Sequence, residues 1–228
     1  VLTQEEQKKM VGEKALEFVR DGMAIGLGTG STARYFIEGL GRMVQEGFCC
    51  TTIATSVASE NLAESYGIPK TTFTETPQLD LVVDGADEID TEFTLIKGGG
   101  GALLREKIVA SISKHMVVIA DSSKYVPVLG SFPLPIEIVQ YGWEASFAAI
   151  QQLSCIPILR QREGKPYLTD NGNFIVDAKF SAIHDPQTLE SALRHIPGVV
   201  ECGLFIGFAD TVILGSPDGP KVLSSNRK

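Results

Sequence analysis

Histidine and cysteine are scarce in this chain: His115, His184 and His195 are scattered, and Cys49, Cys50, Cys155 and Cys202 show no CxxC spacing. Neither a zinc site nor a redox pair is indicated, so no metal and no cofactor is expected, and the cysteines read as reduced thiols. Long apolar runs are missing too. No stretch approaches the roughly 18 uninterrupted apolar residues of a membrane span, and the opening VLTQEEQKKM lacks the basic-then-apolar order of a signal peptide. No membrane association is expected, and the expected location is cytoplasmic. Basic charge is in deficit: 20 Lys and Arg stand against 28 Asp and Glu, a net charge of -8. Nucleic-acid backbones are bound by clustered Lys and Arg, so no nucleic acid is expected as a partner, and small molecules or a second copy of the chain are.

What is present is enough apolar material, 43% of 228 residues, for one large domain or a medium one carrying a small one. Residues 5–20 space Met10, Val11, Ala15, Leu16 and Val19 as an amphipathic helix that Asp21-Gly22 stops. Short apolar runs followed by polar turns and helical patterns then repeat: MAIGL before GTGST, TTIAT before SVASE, LDLVV before DGADEID, MVVIA before DSSK. That order predicts a parallel, Rossmann-like α/β sheet with helices on both faces. From about Leu134 the order becomes βαββαβ, with VVECGLFI as its last strand, which predicts a small inserted ferredoxin-like domain. TVILGS then returns to the first sheet. The expected boundaries are 1–131 with 207–228 for the α/β catalytic domain and 132–206 for the insertion.

In an open parallel sheet the turns after the strands share one rim, where ligands bind. Gly26-Leu27-Gly28-Thr29-Gly30-Ser31-Thr32 fails the dinucleotide pattern, which needs glycine where Ser31 stands, and no GxxxxGK[ST] string exists. It remains a Gly-rich turn opening a helix, suited to a phosphate monoester, or an ordinary turn with Ser31 as N-cap. Asp84-Gly85-Ala86-Asp87-Glu88-Ile89-Asp90 fails as a calcium loop, because Ile89 and Leu95 hold the sixth and twelfth positions. Glu88 and Asp90 read as a solvated acidic turn, whereas Asp84 and Asp87 lie closest to the strand end. Their oxygens suit sugar hydroxyls or the opening of a ring hemiacetal. Lys97-Gly98-Gly99-Gly100-Gly101 leads straight into a helix, and four glycines in a row are tolerable where backbone must come close to a ligand. On that helix Leu104, Ile108 and Ile112 form the apolar stripe, which turns Glu106 about 200° away, off the core. A carboxylate base and an ammonium flanking backbone N–H groups suit enolate chemistry. Lys124, after MVVIA, adds a cation to the rim.

In order and spacing, GLGTGSTA (26–33), TSVASE (55–60), DGADEID (84–90), KGGGGALLREKI (97–108), ADSSK (120–124) and the C-terminal IPGVVECGLF with GSPDG resemble the ribose-5-phosphate isomerase A family through essentially the whole chain. The resemblance implies interconversion of ribose 5-phosphate and ribulose 5-phosphate, without a metal, by a homodimer of the pentose phosphate pathway. By motif position it implies Glu106 as catalytic base, with Asp84, Asp87 and Lys97 around the reacting carbons. Thr29, Gly30, Ser31, Thr32, Gly85, Ala86, Gly98, Gly99, Gly100 and Lys124 would hold substrate, and Lys8 of the opening helix is a further phosphate candidate. Gly101 and Leu104 depart from the Ala and Thr of many members. A sugar-phosphate sensor, an amino-sugar-phosphate deaminase or a coenzyme A transferase could share this kind of sheet. The first would need a DNA-reading helix pair and a basic face, which the sequence lacks, and the Asp84, Asp87, Lys97 and Glu106 set favours plain isomerisation.

Overall fold

The computed structural model describes residues 2–225. The chain forms two compact units: one holds the residues up to Ala86, Arg105–Tyr125 and those from Phe208 on, and the other holds Asp87–Leu104 and Val126–Gly207.

The first unit is built on a six-stranded sheet of β1 (Met23–Leu27), β2 (Cys50–Ala54), β3 (Leu81–Gly85), β6 (Met116–Asp121), β14 (Thr211–Ser216) and β15 (Gly219–Ser224). Their order is β15-β14-β6-β3-β1-β2, and every pairing is parallel except the closing β14–β15 hairpin. Helix α1 (Gln4–Ala15) opens on a capping box, in which the Glu6 N–H donates to Thr3 Oγ1 while the Thr3 N–H donates to Glu6 Oε2. Val11 and Ala15 of α1, and Phe36, Ile37 and Leu40 of α2 (Ser31–Gln45), share a buried cluster with Ile25, Leu27, Leu81, Val83, Val117 and Ile119. Each large side chain taken out of water there contributes roughly 1.5–3 kcal/mol. Odd-numbered residues of β1 and β3 face that layer, so Gly26 and Val82 face the other way. A Cβ on Gly26 would lie 2.6 Å from Val109 Cγ1, which seats α4 (Leu103–Ser111) on the opposite face. A short helix, α3 (Val57–Ser65), follows β2.

The second unit holds a four-stranded antiparallel sheet of β7 (Leu134–Ile138), β8 (Ile156–Leu159), β11 (Phe174–Lys179) and β12 (Val199–Cys202), ordered β12-β7-β11-β8. With α5 (Trp143–Gln151) after the first strand and α6 (Pro186–Arg194) after the third, this is the expected split βαββαβ motif. Ile136, Ile138, Val176 and Ala178 pack with Ile150 and Leu193 of the two helices. A hairpin of β9 (Gln161–Arg162) and β10 (Lys165–Pro166) interrupts the motif.

The run VVECGLFI is not one strand. It breaks at Gly203, where a Cβ would lie 2.1 Å from the Lys97 carbonyl oxygen, and resumes as β13 (Leu204–Phe205). There it joins a sheet ordered β13-β5-β4, with β5 (Leu95–Ile96) and β4 (Glu88–Ile89). That pairing is why residues 87–104, read from sequence with the first domain, cluster with the second unit. Among the described residues no helix is long and apolar enough to cross a membrane.

Candidate active site

Strand order places a topological switch between β1 and β3, because the chain leaves β1 to one side for β2 and crosses back for β3. The turn at Gly28–Thr32 and the carboxylate of Asp84 stand at the carboxyl ends of these two neighbouring strands. Asp84 is fully buried, and its Oδ1 accepts the N–H of Thr29 at 3.0 Å and of Gly85 at 2.8 Å. Gly28 makes that approach possible. A Cβ there would lie 2.3 Å from Asp84 Oδ1 and 2.5 Å from Asp84 Cα.

Behind the turn runs a buried ladder of hydroxyls that sequence reasoning passed over. Thr29 Oγ1 lies 2.7 Å from Thr55 Oγ1 and donates to Ser56 Oγ at 2.8 Å; Ser59 Oγ donates to the Gly28 carbonyl at 2.7 Å. The signal was present in TSVASE, whose hydroxyls follow a strand on the same rim. Thr29 is thereby committed, N–H to Asp84 and hydroxyl to the ladder. Gly30, at φ 108°, is the N-cap of α2, and no side chain caps the helix start, so Ser31 is its first residue instead of its cap. The backbone N–H groups and hydroxyls of Ser31 and Thr32 therefore stand at an uncapped, positive helix end.

Glu106 corrects the expected helix face. It is 5% exposed, and the buried positions of α4 are Leu103, Glu106, Lys107, Val109 and Ala110, whereas Ile108 is 44% exposed. Hydrophobicity suggested the 104/108/112 stripe, but the seat of Val109 at Gly26 fixes the helix rotation and carries Glu106 inward. Lys124 closes the one-turn helix Ser122–Lys124 after β6, capped by Asp121, whose Oδ1 accepts the Ser123 N–H at 3.1 Å. Gln7 of α1 reaches the same turn, with Oε1 3.4 Å from Ser122 Oγ. Lys8, one residue on, is half-buried and pairs with Glu5 at 3.5 Å. Gly85 and Ala86 are half-buried at the end of β3.

In the second unit Asp87 meets the glycine run: its Oδ2 accepts the Gly99 N–H at 2.7 Å, and a Cβ on Gly99 would lie 2.5 Å from Oδ1. Lys97 is 2% exposed; its N–H donates to the Gly203 carbonyl at 2.8 Å, and its ammonium lies 5.4 Å from the centroid of the Phe205 ring. Gly98 and Gly101 have φ of 106° and 81°, left-handed values that favour glycine. Gly99 and Gly100 are exposed. Glu88 is not solvated as expected: it is 3% exposed and accepts the N–H groups of Gly130 and Phe132 at 2.7 and 2.6 Å, a structural anchor. Asp90 likewise folds back on the N–H groups of Glu92 and Thr94, and burial holds its carboxyl above the usual range.

Asp84 and Asp87 thus each lie against a glycine, Gly28 and Gly99, where a Cβ would collide with the carboxylate. A family model for Ribose 5-phosphate isomerase A (phosphoriboisomerase A) matches residues 51–219. The chain belongs to that family. The ribose-5-phosphate isomerase A of Parvibaculum lavamentivorans is 47% identical over 97% of this chain and 99% of its own, and that of Bacillus mycoides is 50% identical over 94% and 97%. Among solved structures, ribose 5-phosphate isomerase A from Neisseria gonorrhoeae superposes with a TM-score of 0.91 at 43% identity, covering 99% of each chain. A D-ribose-5-phosphate isomerase in complex with phospho-erythronic acid reaches 0.95 at 40% identity, covering 98% of this chain and 100% of that one. The two-unit fold described above is thus that of the ribose-5-phosphate isomerase A family.

Proposed function

We propose that this chain interconverts ribose 5-phosphate and ribulose 5-phosphate by moving a proton between C2 and C1, with Glu106 as the base. Glu106 takes the proton from C2 of the open-chain aldose. The electron pair forms the C1–C2 double bond and the carbonyl electrons move onto O1, giving an enediolate. The hydroxyl proton passes from O2 to O1, and Glu106 returns its proton to C1 as C2 becomes the ketone. One carboxylate serves both carbons because they are adjacent. The observation that carries this reading is the burial of Glu106 at the start of a helix, in a family whose members are named for this isomerisation.

Lys97 supplies the positive charge for the developing oxyanion, helped by the N–H groups of Gly98 and Gly100 while the Gly99 N–H holds Asp87, so no metal enters the mechanism. Asp84 and Asp87, with Gly85 and Ala86 between them, hold sugar hydroxyls and assist ring opening. The uncapped helix start at Gly30, Ser31 and Thr32, braced by Thr29, receives the phosphate together with Lys124, and Lys8 is the reserve cation. Phospho-erythronic acid, the ligand of the solved relative, has a carboxylate that mimics the planar anionic end of an enediolate, and we propose that it binds here too. A cytoplasmic homodimer is the working form we propose.

The test is Glu106→Gln, which keeps the shape and removes the base. Turnover of ribose 5-phosphate is expected to fall by at least about 10²-fold, the lower end for losing general acid–base catalysis, with KM little changed. A variant that turns over at near the original rate would refute the assignment.

A further inference from the structure

We propose that Arg160 is a positioning residue of the isomerase, one that aims the backbone N–H groups of the glycine run. Four of the guanidinium N–H groups are used. Nε donates to Asp177 Oδ2 at 2.9 Å and Nη2 to Asp177 Oδ1 at 2.6 Å, a forked pair between the residue that follows β8 and a residue of β11. The two N–H groups of Nη1 go to the run itself, to the carbonyl of Gly98 at 2.9 Å and of Gly99 at 3.2 Å. The Arg160 side chain is 15% exposed, and the ring of Tyr167 flanks it with its centroid 5.8 Å from Cζ. Tyr167 itself abuts the run, since a Cβ on Gly101 would lie 2.3 Å from the tyrosine oxygen.

In a trans peptide the carbonyl and the N–H point in opposite directions. Holding the carbonyls of Gly98 and Gly99 on one guanidinium therefore turns the N–H groups of Gly99 and Gly100 away from it, on the side where the Gly99 N–H meets Asp87. Consecutive glycines have little intrinsic preference for that orientation, and every alternative left open lowers the fraction of molecules with the donors aimed. Asp177 fixes the fork, so the arginine arrives pre-oriented and neutralised. Lysine cannot do this, because a point charge on a flexible stem does not span a carboxylate and two carbonyls together.

The proposal rests on the reading that Gly98–Gly100 face the substrate, and the experiment separates the two. Arg160→Ala is expected to lower kcat by about 10–10²-fold, the scale of a misplacement of about 1 Å, with KM for ribose 5-phosphate changed far less. Inhibition by phospho-erythronic acid should weaken in parallel. Free guanidinium should restore part of the activity of Arg160→Ala, and none of that of Glu106→Gln. Amide hydrogen exchange should accelerate in residues 97–103 while the central strands of each sheet keep their protection. If Arg160→Ala does not fold, Arg160→Lys carries the test, with a several-fold fall in kcat expected and an unchanged kcat overturning the proposal. Gly99→Ala, whose Cβ collides with Asp87, is the control on the underlying reading. Loss of activity in Gly99→Ala with none in Arg160→Ala makes Arg160 merely structural. No loss in either removes the substrate role of the run and the proposal with it. A fall in kcat that guanidinium does not relieve, with exchange accelerated throughout the second unit, also overturns it.

Discussion

Replacing Gly28 by alanine is the smallest change that tests whether the Asp84 turn is built to ångström tolerance. The added methyl would sit 2.3 Å from Asp84 Oδ1 and 2.5 Å from Asp84 Cα, and restoring the 3.4 Å of ordinary contact requires openings of 1.1 Å and 0.9 Å, by subtraction. The carboxylate oxygen could swing away, but only by leaving the N–H groups of Thr29 and Gly85 that it now accepts. The Cα is main chain in a central parallel strand, paired with β1 and β6, and cannot move without disturbing two ladders. Overpacking of this kind costs about 1–3 kcal/mol of stability, and a displacement near 1 Å at a reacting group costs on the order of 10²-fold in rate. Both losses are expected together: a lowered Tm and a kcat for ribose 5-phosphate down by roughly 10²-fold, with secondary structure retained by circular dichroism. Steady-state turnover with a thermal melt of the same preparation measures them. Wild-type Tm and wild-type kcat in Gly28→Ala would show that the turn yields freely and that Asp84 is not held where the reaction needs it.

Lys124→Ala should mainly raise KM for ribose 5-phosphate, because a phosphate contact acts on ground and transition states alike, and should do far less to any slow reaction of unphosphorylated ribose. Equal weakening of both substrates, or of neither, would move the phosphate elsewhere, with Lys8 next to test. Dialysis against a strong chelator should leave turnover unchanged, since Lys97 and backbone N–H groups carry the oxyanion in the proposed mechanism; a loss restored by magnesium or zinc would contradict it. Burial pushes the Cys50 thiol up to about 11, above the ordinary thiol value of 9.0. Between those values the unfolded thiol ionises while the folded one stays protonated, so the unfolded state binds fewer protons and stability falls as pH rises from about 9 to 11. Cys50→Ala should flatten that alkaline decline in denaturant melts, and an identical pH profile in the variant would refute the assignment.

The sequence alone carried the parts of this protein that depend on period and punctuation. Apolar runs of strand length, each followed by a polar turn and a helical pattern, have the order of a parallel sheet layered with helices, so the fold class and the shared rim followed from the spacing. The βαββαβ order of the insertion was legible for the same reason, and so was the family, because KGGGGALLREK and DGADEID are contiguous in the chain. Tertiary structure decided what depends on neighbours distant in sequence. The rotation of α4 is set by a missing Cβ at Gly26, eighty-three residues before Val109, so the buried face runs through Glu106 instead of the more hydrophobic Ile108. Glu88 looked like a solvated acid until its carboxylate met the N–H groups of Gly130 and Phe132. Arg160 had no motif to mark it; its importance lies in two carbonyls about sixty residues away, and hydrogen bonds to main chain leave no trace in the identity of the residue that accepts them.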